Sequence, residues 1–286
     1  METAAEAPTP WALPRRLEVA GGEIAWDVFG SGSPVVLVHG TPSWSYIWRN
    51  VAPALSRSFT VYVYDLLGYG DSQASDEQEV SLAAHGRTLA QLLDRWNLDR
   101  PAIAGHDIGG AAVLRAHLLH EQAFRRIALI DAVVLAPWIT PTTRHMQAHL
   151  EVYGTMPSHI FERIVAAHLQ TAVHGDFPED AFEAYLDRWR RQDGQSRYLS
   201  KVASFDEGHT RELEPLLSAI ELPVKVIWGE RDAWLDPSLA RRLANAVPGA
   251  NVTLIADAGH FVMEDAPTEV ARELLSFFRG ASPACT

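Results

Sequence analysis

The fold is most constrained by a set of short apolar runs that carry no polar alternation. "PVVLVHG" begins at Pro34, "TVYVYDL" at Thr60, "PAIAGHD" at Pro101, "RIALIDA" at Arg126, "VKVIWGE" at Val224 and "NVTLIADAG" at Asn251. A strand with one wet face alternates polar and apolar residues, so Val- and Ile-rich runs without alternation belong to a sheet covered on both faces. Between them stand stretches with helical periodicity: "SLAAHGRTLAQLLDRW" from Ser81, "IGGAAVLRAHLLH" from Ile108 and "TEVARELLSFF" from Thr268. Buried strands alternating with helices predict a parallel sheet and an α/β fold. Ahead of them, "RRLEVAGGEIAWDVFG" predicts two strands turned at Gly21 and Gly22, an antiparallel hairpin on one sheet edge.

From about Pro137 to Arg211 the strands vanish and the chain becomes helical, aromatic and rich in histidine. The expected division is a core of residues 1–136 and 212–286 and a helical cap of residues 137–211, inserted after the "RIALIDA" strand. Ligands of open α/β sheets bind outside the carboxyl ends of the strands. A cap placed there would close a pocket over that edge.

Composition narrows the partners. The 286 residues are 47% hydrophobic, enough for one large domain with an insertion. The formal charge is −12 and no stretch gathers Lys and Arg on a face, so nucleic acid and anionic membranes are not expected. A small neutral molecule is. The single cysteine, Cys285, excludes internal disulfides and a cysteine metal cage. The opening "METAAEAPTPWALPRR" has no basic stretch leading into an apolar core, and no apolar run nears about 20 residues, so a cytoplasmic location is expected. The acidic run "SDEQE" from Ser75 reads as a solvated loop.

The chemistry centres on "AGHDIGG", where Gly105, Asp107 and Gly109 form G-x-D-x-G. In the serine form of this turn a strand ends, the backbone bends sharply and a helix begins, with the nucleophile at the bend. Other reactive side chains also fall just past strand ends: His39 after "VVLV", Asp131 after "ALI", Asp232 after "VIWGER" and His260 after "LIADAG". The order nucleophile, acid, histidine, together with "HGTPSWSYIWRN", "DLLGYGDS", "WGERD" and "AGHFVMEDAP", resembles the α/β-hydrolase fold family. Within it the chain looks like the aspartate-nucleophile branch of epoxide hydrolases and haloalkane and haloacetate dehalogenases. The resemblance covers nearly the whole length and implies a mostly parallel eight-stranded sheet covered by helices.

An aspartate on that turn suits a saturated carbon electrophile. Serine would leave an ether that water does not cleave under mild conditions, whereas Asp107 leaves an ester, which His260-activated water can hydrolyse. The resemblance implies an oxyanion hole from the backbone N–H groups of Thr41 and Ile108. Two residues compete to orient His260. Asp232 lies 28 residues before it, the usual place for the acid and the preferred choice, and Asp131 lies 24 residues after the nucleophile, where some dehalogenases carry theirs. No cofactor or metal is required.

The family's leaving-group devices divide the substrates. Haloalkane enzymes hold halide with an indole N–H after the nucleophile and an Asn or a cap Trp, but those first two places are Ile108 and Thr41. Fluoroacetate-type enzymes use an Arg after the nucleophile and a cap His-Trp pair, neither of which is present. Epoxide hydrolases use two cap tyrosines, which stay protonated at neutral pH. Tyr153 lies 46 residues after Asp107 and Tyr198 lies 34 before Asp232, roughly where that pair belongs, and Tyr185 could replace either. An epoxide hydrolase is therefore expected first and a dehalogenase second. A cofactor-free acid/base enzyme or a ligand-binding protein on the same fold stays open. Trp44, Trp138 and Tyr185 are expected at the substrate, although large aromatics also serve as core. His39 and His106 read as packed bracing residues. His145 and His149 share a helical face at i, i+4, but no third metal ligand accompanies them.

Overall fold

A computed structural model describes residues 11–74 and 79–280. The first ten residues, the run from Ser75 to Gln78 and Cys285 lie outside the described residues. The strands are β1 (Arg15–Val19), β2 (Gly22–Phe29), β3 (Ser33–Val38), β4 (Phe59–Tyr64), β5 (Gln73–Ala74), β6 (Ala102–His106), β7 (Arg126–Ile130), β8 (Val224–Gly229) and β9 (Asn251–Ile255). They form a nine-stranded sheet in the order β1-β2-β4-β3-β6-β7-β8-β9, with β5 paired to β2 off that path. The expected eight strands make up the path itself. The ninth is a two-residue pairing of Gly22 with Ala74 and Glu23 with Gln73, too short to leave a pattern in the sequence.

β1 and β2 pair antiparallel with Val19 opposite Gly22, as the double glycine predicts, and every pairing from β4 through β9 is parallel. β6 is buried along its whole length. β3, β7 and β8 are buried over their last four residues. Each fully buried Val, Leu or Ile contributes about 1.5–3 kcal/mol, so the sheet centre carries much of the stability. Helices Leu82–Arg95 and Ile108–Leu119 pack against one another. The second begins Ile-Gly-Gly-Ala-Ala and is buried on all sides through Ala116, because its small residues let neighbouring backbone approach.

Between β7 and β8 the chain forms helices Pro141–Ala148, Leu150–Gly154, Ser158–Gln170, Glu179–Arg190, Gly194–Ser204 and Gly208–Arg211, with no strand. One buried junction ties this segment to the sheet. Arg49, from the loop after β3, donates two hydrogen bonds to Glu264, just beyond the His260 loop, at 2.5 and 2.8 Å. The Tyr185 hydroxyl from helix Glu179–Arg190 donates to the same carboxylate at 2.5 Å. Among the described residues, no helix is long and apolar enough to cross a membrane.

Candidate active site

Parallel strands place their carboxyl ends on one edge, and the loops leaving that edge hold the reactive groups. Asp107 stands between β6 and helix Ile108–Leu119 with φ 53° and ψ −125°, a left-handed conformation that costs a non-glycine residue energy and turns its side chain out of the helix. Its neighbours make room. A Cβ on Gly105 would lie 2.6 Å from the Gly109 carbonyl, and one on Gly40 would lie 2.3 Å from Asp107 Cβ. The loop after β3 thus closes on the nucleophile position, and the Thr41 N–H donates to Asp107 Oδ1 at 2.7 Å. Ile108 opens the following helix, so its N–H has no acceptor within that helix.

His260 follows β9 and is fully buried. Its Nδ1 lies 2.9 Å from Asp232 Oδ2, and its Nε2 lies 3.4 Å from Asp107 Oδ2. Asp232 is fixed from behind, with Oδ1 accepting the Trp234 and Leu235 N–H groups at 2.8 and 2.9 Å. Burial pulls the His260 pKa down, but the charges of Asp232 and Asp107 outweigh it and hold the imidazole well above its ordinary value. The site therefore stabilises an imidazolium between two carboxylates.

Asp131 lies close behind. Its Oδ1 accepts the Gly229 N–H at 2.9 Å, and its Oδ2 has no hydrogen-bond partner among the described residues. Burial, and then the neighbouring Asp232 charge, push this carboxyl well above the usual range, which favours the neutral acid. The geometry thus separates the two competing acids: Asp232 bonds the imidazole and Asp131 bonds backbone.

His39 and His106 brace the loops. His39 accepts the Leu66 N–H on Nε2 at 2.8 Å and reaches the Gly40 carbonyl with Nδ1 at 2.8 Å, so Nδ1 carries the proton. His106 Nε2 meets the His260 carbonyl at 3.0 Å. Burial lowers His39 to about 4 and His106 to about 3, so both are neutral at pH 7.

A cavity opens over these groups, lined by Thr41, Asp107, Ile108 and His260 from the sheet side and by Trp138, His168, Trp189, Tyr198, Lys201 and Phe205 from the helical segment. The Tyr198 hydroxyl makes no hydrogen bond among the described residues, and burial raises its pKa. Tyr153 is not on this wall: its ring packs edge-on to His145, 6.0 Å away. Tyr185 is spent on Glu264. Trp44 is stacked on Tyr46 and covered by Arg188, also away from the cavity. Of the three expected substrate contacts, only Trp138 lines the wall.

Two wall residues were not singled out from the sequence. His168 stacks flat on Trp234 with ring centres 4.3 Å apart, and burial lowers it to about 4. Lys201 is 5% exposed and one turn along the helix from Tyr198. That i, i+3 spacing was the available signal. His145 and His149 do stack, 4.6 Å apart, but among the described residues no third His, Cys, Asp or Glu joins them in a metal-sized group.

Residues 33–267 match the family model for the alpha/beta hydrolase fold. An alpha/beta hydrolase fold protein from Burkholderia ambifaria is 35% identical, superposes with a TM-score of 0.89, and the match covers 92% of this chain and 97% of that one. Haloalkane dehalogenase 2 of Mycobacterium tuberculosis is 25% identical over 95% of this chain and 98% of its own. The structure of epoxide hydrolase CorEH matches at 22% identity and a TM-score of 0.76 over 93% and 98% of the two chains, a likeness of fold alone. The sharp strand-to-helix turn at Asp107, the sheet order and the family match agree, and the chain belongs to the alpha/beta hydrolase fold family.

Proposed function

We propose that this chain is a hydrolase that opens an electrophilic saturated carbon through a covalent ester on Asp107, with an epoxide as substrate. The observation that carries the reading is the single line of contacts from the Thr41 N–H through Asp107 and His260 to Asp232. Asp107 attacks the carbon, the epoxide C–O bond breaks, and the Tyr198 hydroxyl gives its proton to the departing alkoxide. His260 then takes a proton from water, which adds to the ester carbonyl. The oxyanion is met by the N–H groups of Thr41 and Ile108, each worth about 3 kcal/mol. Collapse of this intermediate releases the diol and frees Asp107, and the proton taken from water stays on His260, as in the resting site.

Alkylation also prepares its own second step. While Asp107 is a carboxylate it helps to hold His260 as an imidazolium, which cannot act as a base. The ester is neutral, so that support disappears; the imidazolium proton restores the Tyr198 hydroxyl, and the imidazole is released for water activation. The base is switched on by the presence of its substrate.

The epoxide reading is favoured over carbon–halogen cleavage by the indoles. Trp138 donates its ring N–H to Thr210 Oγ1 at 2.9 Å, Trp189 to the Pro42 carbonyl at 3.1 Å and Trp234 to Thr171 Oγ1 at 2.8 Å. Each tryptophan on the cavity wall is thereby already committed, whereas halide release needs free donors. Tyr198 is uncommitted. A dehalogenase remains the second reading, on the likeness to haloalkane dehalogenase 2.

A single turnover of an epoxide in ¹⁸O-labelled water, with enzyme in excess, tests the mechanism. Unlabelled diol with label in the Asp107 peptide is expected, and His260→Gln should accumulate a substrate mass adduct on Asp107. Label directly in the diol with no adduct would make Asp107 a general base and discard the ester.

A further inference from the structure

Lys201 has no place in the chemistry above, and its surroundings give it no partner. The residue is 5% exposed, yet its ammonium makes no hydrogen bond or ion pair among the described residues. Burial, and then the charge of Arg197, lower its pKa to about 8. Its Nζ lies over the face of Tyr69, 5.3 Å from the ring centre. An ammonium on a largely buried side chain without a counter-charge is expensive, and folds tolerate one chiefly where something else neutralises it.

The position of Lys201 says where that something sits. Lys201 is among the residues that line both the catalytic cavity and an adjoining cleft, and its Nζ lies toward Gly68 on the cleft side. Three arginines, Arg16, Arg191 and Arg197, line that cleft, against Asp71 and Asp193. Tyr69 spans the distance to the nucleophile: its hydroxyl meets Thr41 Oγ1 at 3.1 Å while its ring faces the ammonium. The cation is thus one aromatic ring away from the loop that holds Asp107. Val202, Phe205 and Trp189 contribute apolar surface to the same cavity wall.

We propose that Lys201 is a specificity-determining residue that binds a carboxylate on the substrate, carried several bonds from the carbon that Asp107 attacks. This rests on the covalent reading above for its reacting end and corrects the expectation of a neutral ligand at the other. A departing halide would form at the reacting carbon, one ring away from this ammonium, so a substrate carboxylate suits the position better. Carboxylate and ammonium would desolvate together, each serving as the other's missing partner.

The test separates binding from turnover. Pentanoate and pentanamide have nearly the same shape and differ in charge, and their affinities for the full chain are measured by calorimetry at pH 7. The wild type is expected to prefer pentanoate by about tenfold to a hundredfold, the value of a charge-assisted hydrogen bond. Lys201→Met should bring the ratio to near one, and Lys201→Arg should keep most of it. A wild-type ratio of one, or an undiminished ratio in a folded Lys201→Met, overturns the assignment, as does chloride competing with pentanoate as well as a second carboxylate does. If Lys201→Met does not fold, the wild-type ratio and the arginine variant still decide. The His260→Gln mass adduct is scored separately. No adduct with the ratio intact removes the ester and keeps the carboxylate site, whereas an adduct with a ratio of one does the reverse.

Discussion

Replacing Asp232 by asparagine should block ester cleavage while sparing ester formation. Asp232 Oδ1 is held by the Trp234 and Leu235 N–H groups, so an amide there keeps its oxygen on them and turns its NH₂ toward His260. Nδ1 then has to accept, the proton moves to Nε2, and the nitrogen facing Asp107 can no longer take one from water. The charge is lost as well. Both side chains of the pair are fully shielded from solvent at 2.9 Å, and removing one partner of a buried pair costs about 3–5 kcal/mol. That corresponds to a loss of about 10²–10⁴ in the rate of the step that needs the base. Asp131→Asn is the control. Its carboxyl already favours the neutral form and an amide oxygen can still accept from Gly229, so a loss under about tenfold is expected. Rapid mixing with an epoxide, followed by quenching and intact-protein mass spectrometry, reads both steps. Asp232→Asn should show a wild-type-like rise of adduct that then persists. Equal losses in the two variants, or rapid disappearance of the adduct in Asp232→Asn, would refute the division of labour between these acids.

Two further outcomes follow from the same structure. Tyr198→Phe should slow adduct formation from an epoxide by about 10²-fold, the scale of one general acid, while Tyr153→Phe stays near wild type because its ring packs on His145; the opposite ranking would return the proton donor to Tyr153. The buried neutral histidines also make the fold acid-sensitive. His39 is lowered by burial to about 4 and His85 and His106 to about 3, so an unfolded chain, whose histidines titrate near 6.5, binds more protons than the native one as pH falls below that value. Their stabilising contribution is complete above about pH 6.5 and is lost toward 3, approaching about 4 kcal/mol per pH unit below pH 6. His260 is raised and adds no such slope, since both states are protonated there. Urea midpoints at pH 7, 6 and 5 should fall steeply, and a flat series would show that these imidazoles are not held neutral.

The sheet was legible because its central strands are buried on both faces, and that burial is written directly as unbroken Val and Ile. β5 was not, since two residues held by β2 carry no periodicity. The positions of Asp107 and His260 were legible for a related reason: strand ends are punctuated by Gly, and reactive residues that share this placement converge on one edge. The sequence preferred Asp232 by its usual place but could not exclude Asp131. Both leave neighbouring strands at the same edge, and only the side-chain direction distinguishes a partner for imidazole from a partner for backbone. The helical segment hid most. Its helices bury one face against the sheet loops and another against one another, so spacing alone could not say that Tyr198 turns inward while Tyr153 and Tyr185 do not. Lys201 occupies a polar position of an amphipathic helix, and its burial comes from tertiary packing that the sequence does not display.

The junction of Arg49, Tyr185 and Glu264 bears on any attempt to exchange the helical segment for a relative's. Its three members come from separate stretches of chain, two on the sheet side and one on the exchanged piece, and the carboxylate they share is only 1% exposed. A graft without a hydroxyl at position 185 would leave that carboxylate short of one donor, four residues from His260. The transplant would then alter the catalytic loop before any substrate entered, and a change in activity would be misread as a change in specificity. Chimaeras of this protein should therefore be built with position 185 retained as tyrosine, so that the seam of the exchange is kept apart from its effect.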